Sequence, residues 1–112
     1  MNDNRLVGTR FEAEFCETLS KAGFWVHNLA QSKAGQPADV IAVKRGVAAL
    51  IDCKDCRGPY FDKRRIEPNQ ESAMDLWQSL GNGCGWFAVR FEWRVYMVPW
   101  HKLMTSSGMS LR

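Results

Sequence analysis

The sequence predicts an α/β fold, because two amphipathic helical segments alternate with runs of β-branched and aromatic residues. The chain has 112 residues, enough for one hydrophobic core but too few for separate catalytic and recognition domains. We therefore expect a single domain over residues 1–112. Hydrophobic residues make up 46% of the chain, a globular balance without a signature of disorder or repeats. The predicted order is one helix, three strands, a second helix and two strands.

The first predicted helix begins at Asp3 or Asn4 and ends at Gly23. Its apolar positions recur at near-helical spacing and are Phe11, Phe15, Leu19 and Ala22. A short strand is expected at 24–27, followed by a loop of small residues over 31–37.

Two further strands, 38–43 and 47–54, flank Arg45-Gly46, which favours a hairpin turn with positive φ at the glycine. The segment 55–67 has no clear period and is predicted to be a basic loop.

The second predicted helix begins at Pro68 and stops at Gly81. Its apolar stripe consists of Ala73, Met74, Trp77 and Leu80. Two final strands are expected at 86–91 and 93–98, followed by a break at 99–100 and a short tail.

One acid of the first helix, Glu12, falls on the wrong face for a solvated charge. With 100° per residue and Phe11 at 0°, Glu12 lies at about 100°, beside Leu19 at about 80°. Glu14 and Glu17 fall at roughly 300° and 240°, on the solvated face. A carboxylate among core-facing residues is costly unless it meets a cation. Glu12 is therefore expected to face a metal or a basic group, and a buried structural ion pair is the alternative.

Asp39 and Asp52 are predicted to face each other across the hairpin. If Arg45-Gly46 is the centre of an even-length antiparallel turn, the numbers of paired residues total 91, as 39 and 52 do. Opposed side chains have Cβ atoms roughly 4.5–5.5 Å apart, where two ionised carboxylates repel unless a cation lies between them. Because all the candidate ligands are oxygen atoms, we expect Mg²⁺ as the cofactor, with Mn²⁺ able to replace it.

Lys54 follows Asp52 by two residues, so strand alternation places both side chains on the same face. Asp is disfavoured within strands, and the flanks of this one are apolar. A D-x-K spacing alone arises often by chance. The prediction of an active site therefore rests on the combination of this spacing with Glu12 and Asp39.

The composition of the chain limits which partners, cellular locations and cysteine chemistry can be expected. The net charge of +3 is a mild bias that suits a polyanionic partner. Residues 1–10 lack an apolar signal core, and no segment approaches the roughly 20 apolar residues that cross a bilayer. We therefore expect a cytoplasmic protein without a membrane partner, in the host cytoplasm if it is phage-encoded. Cys53 and Cys56 are expected to be reduced thiols, since no second Cys or His pair completes a zinc site.

The basic segment 55–67 interleaves cations with aromatic rings, a composition that suits phosphate contact and stacking on unpaired bases. A solvated basic loop without a ligand is the alternative. The residues expected to contact DNA, one of them from the small-residue loop, are Lys33, Arg57, Tyr60, Phe61, Lys63, Arg64 and Arg65.

Four short motifs resemble those of the PD-(D/E)xK nuclease superfamily. They are Gly8-x-x-x-Glu12, Pro37-Ala38-Asp39, Asp52-Cys53-Lys54 and Gln70. The resemblance spans roughly residues 5–98. Within the superfamily the chain is most similar to Holliday junction resolvases, of the archaeal type and of the type found in Gram-positive bacteria and phages. Two positions depart from that pattern: Ala38 separates Pro37 from Asp39, and Asp52 stands where junction resolvases more often have Glu.

The resemblance implies a restriction-endonuclease-like core, in which helices flank a mixed central β-sheet, and a homodimer. The metal ligands it implies are Glu12, directly or through water, Asp39, Asp52 and the backbone carbonyl of Cys53. Lys54 would orient the attacking water. Gln70, on the inward stripe of the second helix, resembles the family's glutamine near the site. A hydrogen-bonded core amide is the alternative for Gln70.

The function implied is metal-dependent hydrolysis of the DNA backbone. The preferred hypothesis is a structure-selective endonuclease that cuts four-way junctions in recombination and repair or in phage DNA processing. No helix-turn-helix or zinc module is visible, so selectivity is expected to come from DNA shape and backbone contacts. Two alternatives stay open: another nuclease of the superfamily, acting on flaps, ends or particular sequences, and a non-catalytic DNA-binding module.

Overall fold

This computed structural model describes residues 3–29 and 38–112. Within these ranges the chain forms three α-helices, seven strands and one 3₁₀ helix. The helices are α1 (Asp3–Lys21), α2 (Pro68–Ser79) and α3 (Trp100–Met104). The strands are β1 (Trp25–Asn28), β2 (Val40–Lys44), β3 (Val47–Cys56), β4 (Tyr60–Asp62), β5 (Gly85–Phe91), β6 (Arg94–Pro99) and β7 (Gly108–Ser110). The 3₁₀ helix spans Lys63–Arg65. Among these residues, no helix is long and apolar enough to cross a membrane.

Five strands form the central sheet, in the order β1-β2-β3-β5-β6. The β3–β5 pair is parallel and the other neighbours are antiparallel. The sheet is therefore mixed, as the resemblance implied. A parallel pair needs a long crossover connection, and the segment that contains α2 provides it. The predicted order of α1, three strands, α2 and two strands is confirmed for these elements.

The β2–β3 hairpin turns through two residues with positive φ, 52° at Arg45 and 79° at Gly46. Positive φ at both central positions is the pattern of a type I′ turn, whose twist matches that of the flanking strands. Glycine adopts this conformation without steric cost. Val40 pairs with Ile51 and Lys44 with Val47, so the predicted register is confirmed.

Helices and a second, smaller sheet cover the two faces of the central sheet. The core on the α1 face consists of Phe11, Phe15, Val40, Ala42, Ile51 and Ala88. On the opposite face, α2 packs through Met74 against Leu50. The rest of that face is covered by α3 and by an antiparallel pair of β4 and β7. Residues of β3 therefore point alternately toward α1 and toward α2, which places Asp52 and Lys54 on the α2 side.

Two segments are more regular than the sequence predicted. The expected basic loop 55–67 contains the end of β3, all of β4 and the 3₁₀ helix. The expected C-terminal tail contains α3 and β7, and β7 pairs with β4 from Tyr60–Ser110 to Asp62–Gly108. This pairing joins segments far apart in the chain, which local residue patterns do not reveal.

Smaller differences concern the ends of elements. Ala38 and Asp39 precede β2 instead of lying within it. Ala22, expected on the apolar stripe, follows the end of α1 and is exposed. Trp93, expected in the last strand, lies in the turn before β6 and is 97% exposed.

Candidate active site

Asp39 lies just before β2, where it binds the backbone of β3. Its backbone N–H donates to the carbonyl of Ile51 at 3.0 Å. Its Oδ2 accepts a hydrogen bond of 2.7 Å from the backbone N–H of Cys53. The side chain therefore extends the hydrogen bonding of the hairpin beyond the last paired residues. Because Asp39 is buried, these contacts fix the orientation of its carboxylate.

Asp52, in the middle of β3, is 1% exposed. Its Oδ1 accepts a hydrogen bond of 3.1 Å from Nε2 of Gln70. Its Oδ2 lies 3.0 Å from Nζ of Lys54, an ion-pair distance, yet the geometry leaves this oxygen without a hydrogen bond. A buried carboxylate oxygen in this condition is costly. A further cation at Oδ2 would therefore be strongly stabilising.

Gln70 of α2 connects the acid to the lysine. Its Oε1 accepts hydrogen bonds of 3.1 Å from Nζ of Lys54 and 3.1 Å from the backbone N–H of Glu67. Donors on one side and the Asp52 acceptor on the other fix which way the amide points. The Glu67 contact is half of a capping box at the start of α2. The predicted inward orientation of Gln70 is confirmed. The same side chain takes part in the cap at the start of α2 and hydrogen-bonds Lys54.

Glu12 approaches this group of acids from α1. It is half-buried, whereas Glu14 and Glu17 are exposed, as the helical wheel predicted. Burial raises the pKa of Glu12 to about 7, aided by the charge and hydrogen bonding of Asp39 and opposed by Lys54. The charged group with the largest effect on the pKa of Glu12 is thus another acid. This arrangement favours the cation-site interpretation over a structural ion pair.

Burial also raises the pKa of Asp52 to about 8; Lys54 lowers it and Asp39 raises it further. A free aspartate has a pKa of about 3.9. Burial therefore disfavours the ionised forms of both Glu12 and Asp52. Such shifts arise where carboxylates are packed together and out of water, which is common at functional sites.

The oxygen donors of this site fit a divalent cation of the Mg²⁺ type. Among the side chains described, at 10–29 and 38–112, no three of the His, Cys, Asp or Glu type are grouped so as to hold a metal ion. Mg²⁺ needs no such group, because it is usually bound by one or two carboxylates and keeps several waters. Asp39 and Asp52 supply two carboxylates. The carbonyl of Cys53 points to the side of β3 that Asp39 occupies, since its N–H does so.

Two of the residues predicted to contact DNA, Tyr60 and Phe61, lie on opposite faces of β4. Lys33 lies outside the described residues. Phe61 is fully buried and its ring centroid lies 6.3 Å from that of Phe87, so its ring is in the core and not on the surface where a DNA contact was expected. Strand alternation explains the difference, because Phe61 points into the core while Tyr60 is exposed. Arg57 is also exposed.

The other cations of this segment make specific contacts. Lys63 donates to a backbone carbonyl of α3. Arg64 forms an ion pair of 2.9 Å with Asp62. Arg65 donates a hydrogen bond of 3.1 Å to Sγ of Cys56. The basic segment is therefore tied to the rest of the protein by specific side-chain contacts.

Arg90 of β5 is a positioning residue that the sequence patterns did not reveal. Its guanidinium donates hydrogen bonds of 3.1 and 2.7 Å to Asp55 and one of 3.2 Å to Glu14. It also lies 4.5 Å from the ring centroid of Phe11. These contacts tie α1, the helix that carries Glu12, to the sheet. Three elements meet at Arg90, so no local spacing could have identified it.

The mixed sheet and the acid–lysine–glutamine cluster define a nuclease of the PD-(D/E)xK type. The family model of archaeal Holliday junction resolvases (Hjc) matches residues 3–111, and the chain belongs to this family of nucleases. The structure of Archaeoglobus fulgidus Hjc, a Holliday junction resolvase from an archaeal hyperthermophile, has the same fold. It matches with a TM-score of 0.63 and 21% identity, over 82% of this chain and 71% of that chain. No curated protein sequence compared with the chain matches it significantly.

Proposed function

We propose that this chain is a metal-dependent endonuclease that cuts four-way DNA junctions, with Mg²⁺ as its cofactor and Mn²⁺ able to replace it. The observation that carries the proposal is the buried Asp39–Asp52 pair beside Lys54 and Gln70, in a member of the archaeal Holliday junction resolvase family. Carboxylates buried to this degree destabilise a fold unless a cation compensates them. A divalent metal at the substrate phosphate supplies that compensation.

The metal would be held by Asp39, Asp52 and the carbonyl of Cys53, with Glu12 binding directly or through a water. When bound, a divalent metal polarises the scissile phosphate and lowers the pKa of the attacking water. The pKa values of about 7 for Glu12 and about 8 for Asp52 mean that protons compete with the metal for these oxygens. Metal affinity is therefore expected to rise with pH through this range.

Lys54 would place positive charge at the phosphate and orient the attacking water. Its side chain is 13% exposed and is held by contacts with Asp52 and Gln70. The ammonium is therefore directed before substrate arrives, which lowers the entropy lost in the transition state. Gln70 acts through Lys54 and Asp52 as a positioning residue.

A homodimer would provide two active sites for the two strands that must be cut in a junction. Leu76 of α2 and Leu80, the residue that caps the C-terminal end of this helix, are 59% and 69% exposed and lie one helical turn apart. Large apolar side chains exposed together on one helix face are suited to burial against a protein surface. A two-fold dimer would bury the same face of each copy.

Cleavage of a four-way junction, a flap, a linear duplex and a single strand, compared at equal concentration with Mg²⁺, tests the proposed function. We expect paired nicks in the junction and much slower cutting of the other substrates. Preferential cutting of flaps or ends would assign the chain another activity of the superfamily. Tight junction binding without product, at any Mg²⁺ or Mn²⁺ concentration, would indicate a non-catalytic DNA-binding module.

A further inference from the structure

A groove on the outer side of the β4–β7 pair takes no part in the carboxylate site. Its volume is about 510 Å³, and it is lined by Tyr60, Asp62, Lys63, Arg64 and Ser107. An ammonium, a guanidinium and two hydroxyls are the side-chain donors that proteins use to bind DNA phosphates. We propose that this β4–β7 groove binds the sugar–phosphate backbone of a DNA strand and so holds the substrate beside the active site. The inference rests on the proposed function, because it assigns the groove to the same substrate.

The groove lies on the same side of the central sheet as Asp52. Asp52 and Phe87 are paired on β3 and β5, so their side chains share a face. Phe87 packs against Phe61, and Tyr60, the neighbour of Phe61 in β4, points in the opposite direction, into the groove. The groove and Asp52 are therefore on the same side of the central sheet, with the β4–β7 pair between the sheet and the groove.

Tyr60 is held in place by the C-terminal strand. Its Oη lies 3.2 Å from Oγ of Ser107. A Cβ on Gly108 would come within 2.8 Å of this Oη and 2.9 Å of a ring carbon, so the close approach of the ring to β7 requires glycine. The residue is still 51% exposed, which leaves part of the ring free for a sugar or an unpaired base.

The charges in the groove are arranged around one carboxylate. Nζ of Lys63 donates to the carbonyl of Met104 at 3.2 Å, which leaves two of its three N–H groups for a phosphate. Arg64 donates side-chain hydrogen bonds of 2.9 to 3.2 Å to Asp62. Asp62 also accepts the backbone N–H of Arg64 at 2.8 Å, as the cap of the 3₁₀ helix. Asp62 therefore opposes a bound anion and occupies the guanidinium that would bind it.

This arrangement predicts opposite effects from two neighbouring substitutions. Asp62→Asn keeps an oxygen that can accept the backbone N–H of Arg64, but it removes the negative charge and frees the guanidinium. It should tighten DNA binding and steepen the plot of log affinity against log salt by up to about 0.9. Lys63→Gln should flatten the slope by about 0.9. If the variant and the wild type bind equally at 1 M salt, the variant should bind roughly eightfold more weakly than the wild type at 0.1 M salt.

The experiment is a titration of a labelled four-way junction by fluorescence anisotropy at several salt concentrations, with Ca²⁺ in place of Mg²⁺ to prevent cutting. Lys21→Gln is the matched control, because Lys21 is an exposed cation on α1, across the sheet from the groove. We expect Asp62→Asn to bind more tightly than the wild type, Lys63→Gln less tightly, and Lys21→Gln with little change. Any other order of affinities would overturn the assignment of the groove.

A second variant keeps the test independent of the cap. Ser107→Ala removes a hydroxyl that lines the groove without changing a residue of the 3₁₀ helix, and it should weaken junction binding. Unchanged affinity in Ser107→Ala, together with unfolding of Asp62→Asn, would also overturn the proposal. Failure of the proposed function is visible separately, since the wild type would then not cut the four-way junction preferentially with Mg²⁺, while the Ca²⁺ titrations still report on the groove.

Discussion

Replacing Asp52 by Asn should make the metal-free protein less sensitive to rising pH. The pKa of Asp52 is raised from 3.8 to about 8, mainly by burial. Between these two values the folded protein holds a proton that the unfolded chain has released. Folding stability therefore falls as the pH rises through this window, with the loss complete above the folded-state pKa. Asn has no such proton, so the variant lacks this component of the pH dependence.

The size of the effect follows from the width of the window. Each pH unit inside it costs about 1.4 kcal/mol of unfolding free energy. From pH 5 to pH 8, the wild type should lose about 4 kcal/mol relative to Asp52→Asn. The attraction between Lys54 and the ionised form of Asp52 already contributes to this pKa, so its loss in the variant adds no separate pH dependence. Mg²⁺ should restore the stability of the wild type at pH 8 and leave the variant unchanged.

Urea unfolding in EDTA at pH 5, 6.5 and 8, with both proteins measured side by side, tests this prediction. Asp75→Asn is the matched control, because Asp75 is an exposed acid on α2, and its curve should run parallel to that of the wild type. A difference between wild type and Asp52→Asn that stays constant from pH 5 to pH 8 would refute the reasoning. It would show that Asp52 is already ionised in the folded, metal-free protein.

Three further predictions concern the lysine, the core and the helix face. Lys54→Ala should lower the cleavage rate by orders of magnitude with little change in metal affinity. Lys54→Arg should restore little activity, because a guanidinium presents its hydrogen-bond donors differently from an ammonium. Full activity in the Arg variant would refute this prediction. Phe61→Ala should reduce the unfolding free energy by about 3–5 kcal/mol, because the ring is fully buried; weaker junction binding at unchanged stability would instead support a DNA contact. Leu76→Asp combined with Leu80→Asp should convert the proposed dimer into a folded monomer in sedimentation equilibrium, and a persistent dimer would place the interface elsewhere.

The parts of the site that local patterns could predict are those set by short-range geometry. The Arg45-Gly46 turn determines the register of β2 and β3, and the register in turn brings Asp39 next to β3. Helical periodicity correctly separated Glu12 from Glu14 on the two faces of α1. Both inferences need only the chirality of the chain and the repeat of a helix or strand.

Local patterns failed where elements distant in sequence meet. Phe61 looked like a surface ring in a basic loop, because the partner strand β7 that makes β4 a strand lies near the C-terminus. Ser107 carried no signal for the same reason. Gln70 could be placed on the inward face of α2, but its bridge between Asp52 and Lys54 depends on how α2 packs against β3. Tertiary packing decides these contacts, and a single sequence does not display it.

The central claim is that Asp39 and Asp52 form the metal-binding pair of a junction-cutting nuclease. The most direct test measures cleavage and binding of one four-way junction by Asp39→Asn, Asp52→Asn and the control Asp75→Asn. We expect no cleavage by the first two at saturating Mg²⁺, with junction binding in Ca²⁺ equal to or tighter than that of the wild type, because the charge that repels phosphate is reduced. Asp75→Asn should cut at the wild-type rate. Near-normal turnover by either Asp39→Asn or Asp52→Asn, in protein shown to be folded, would contradict the claim.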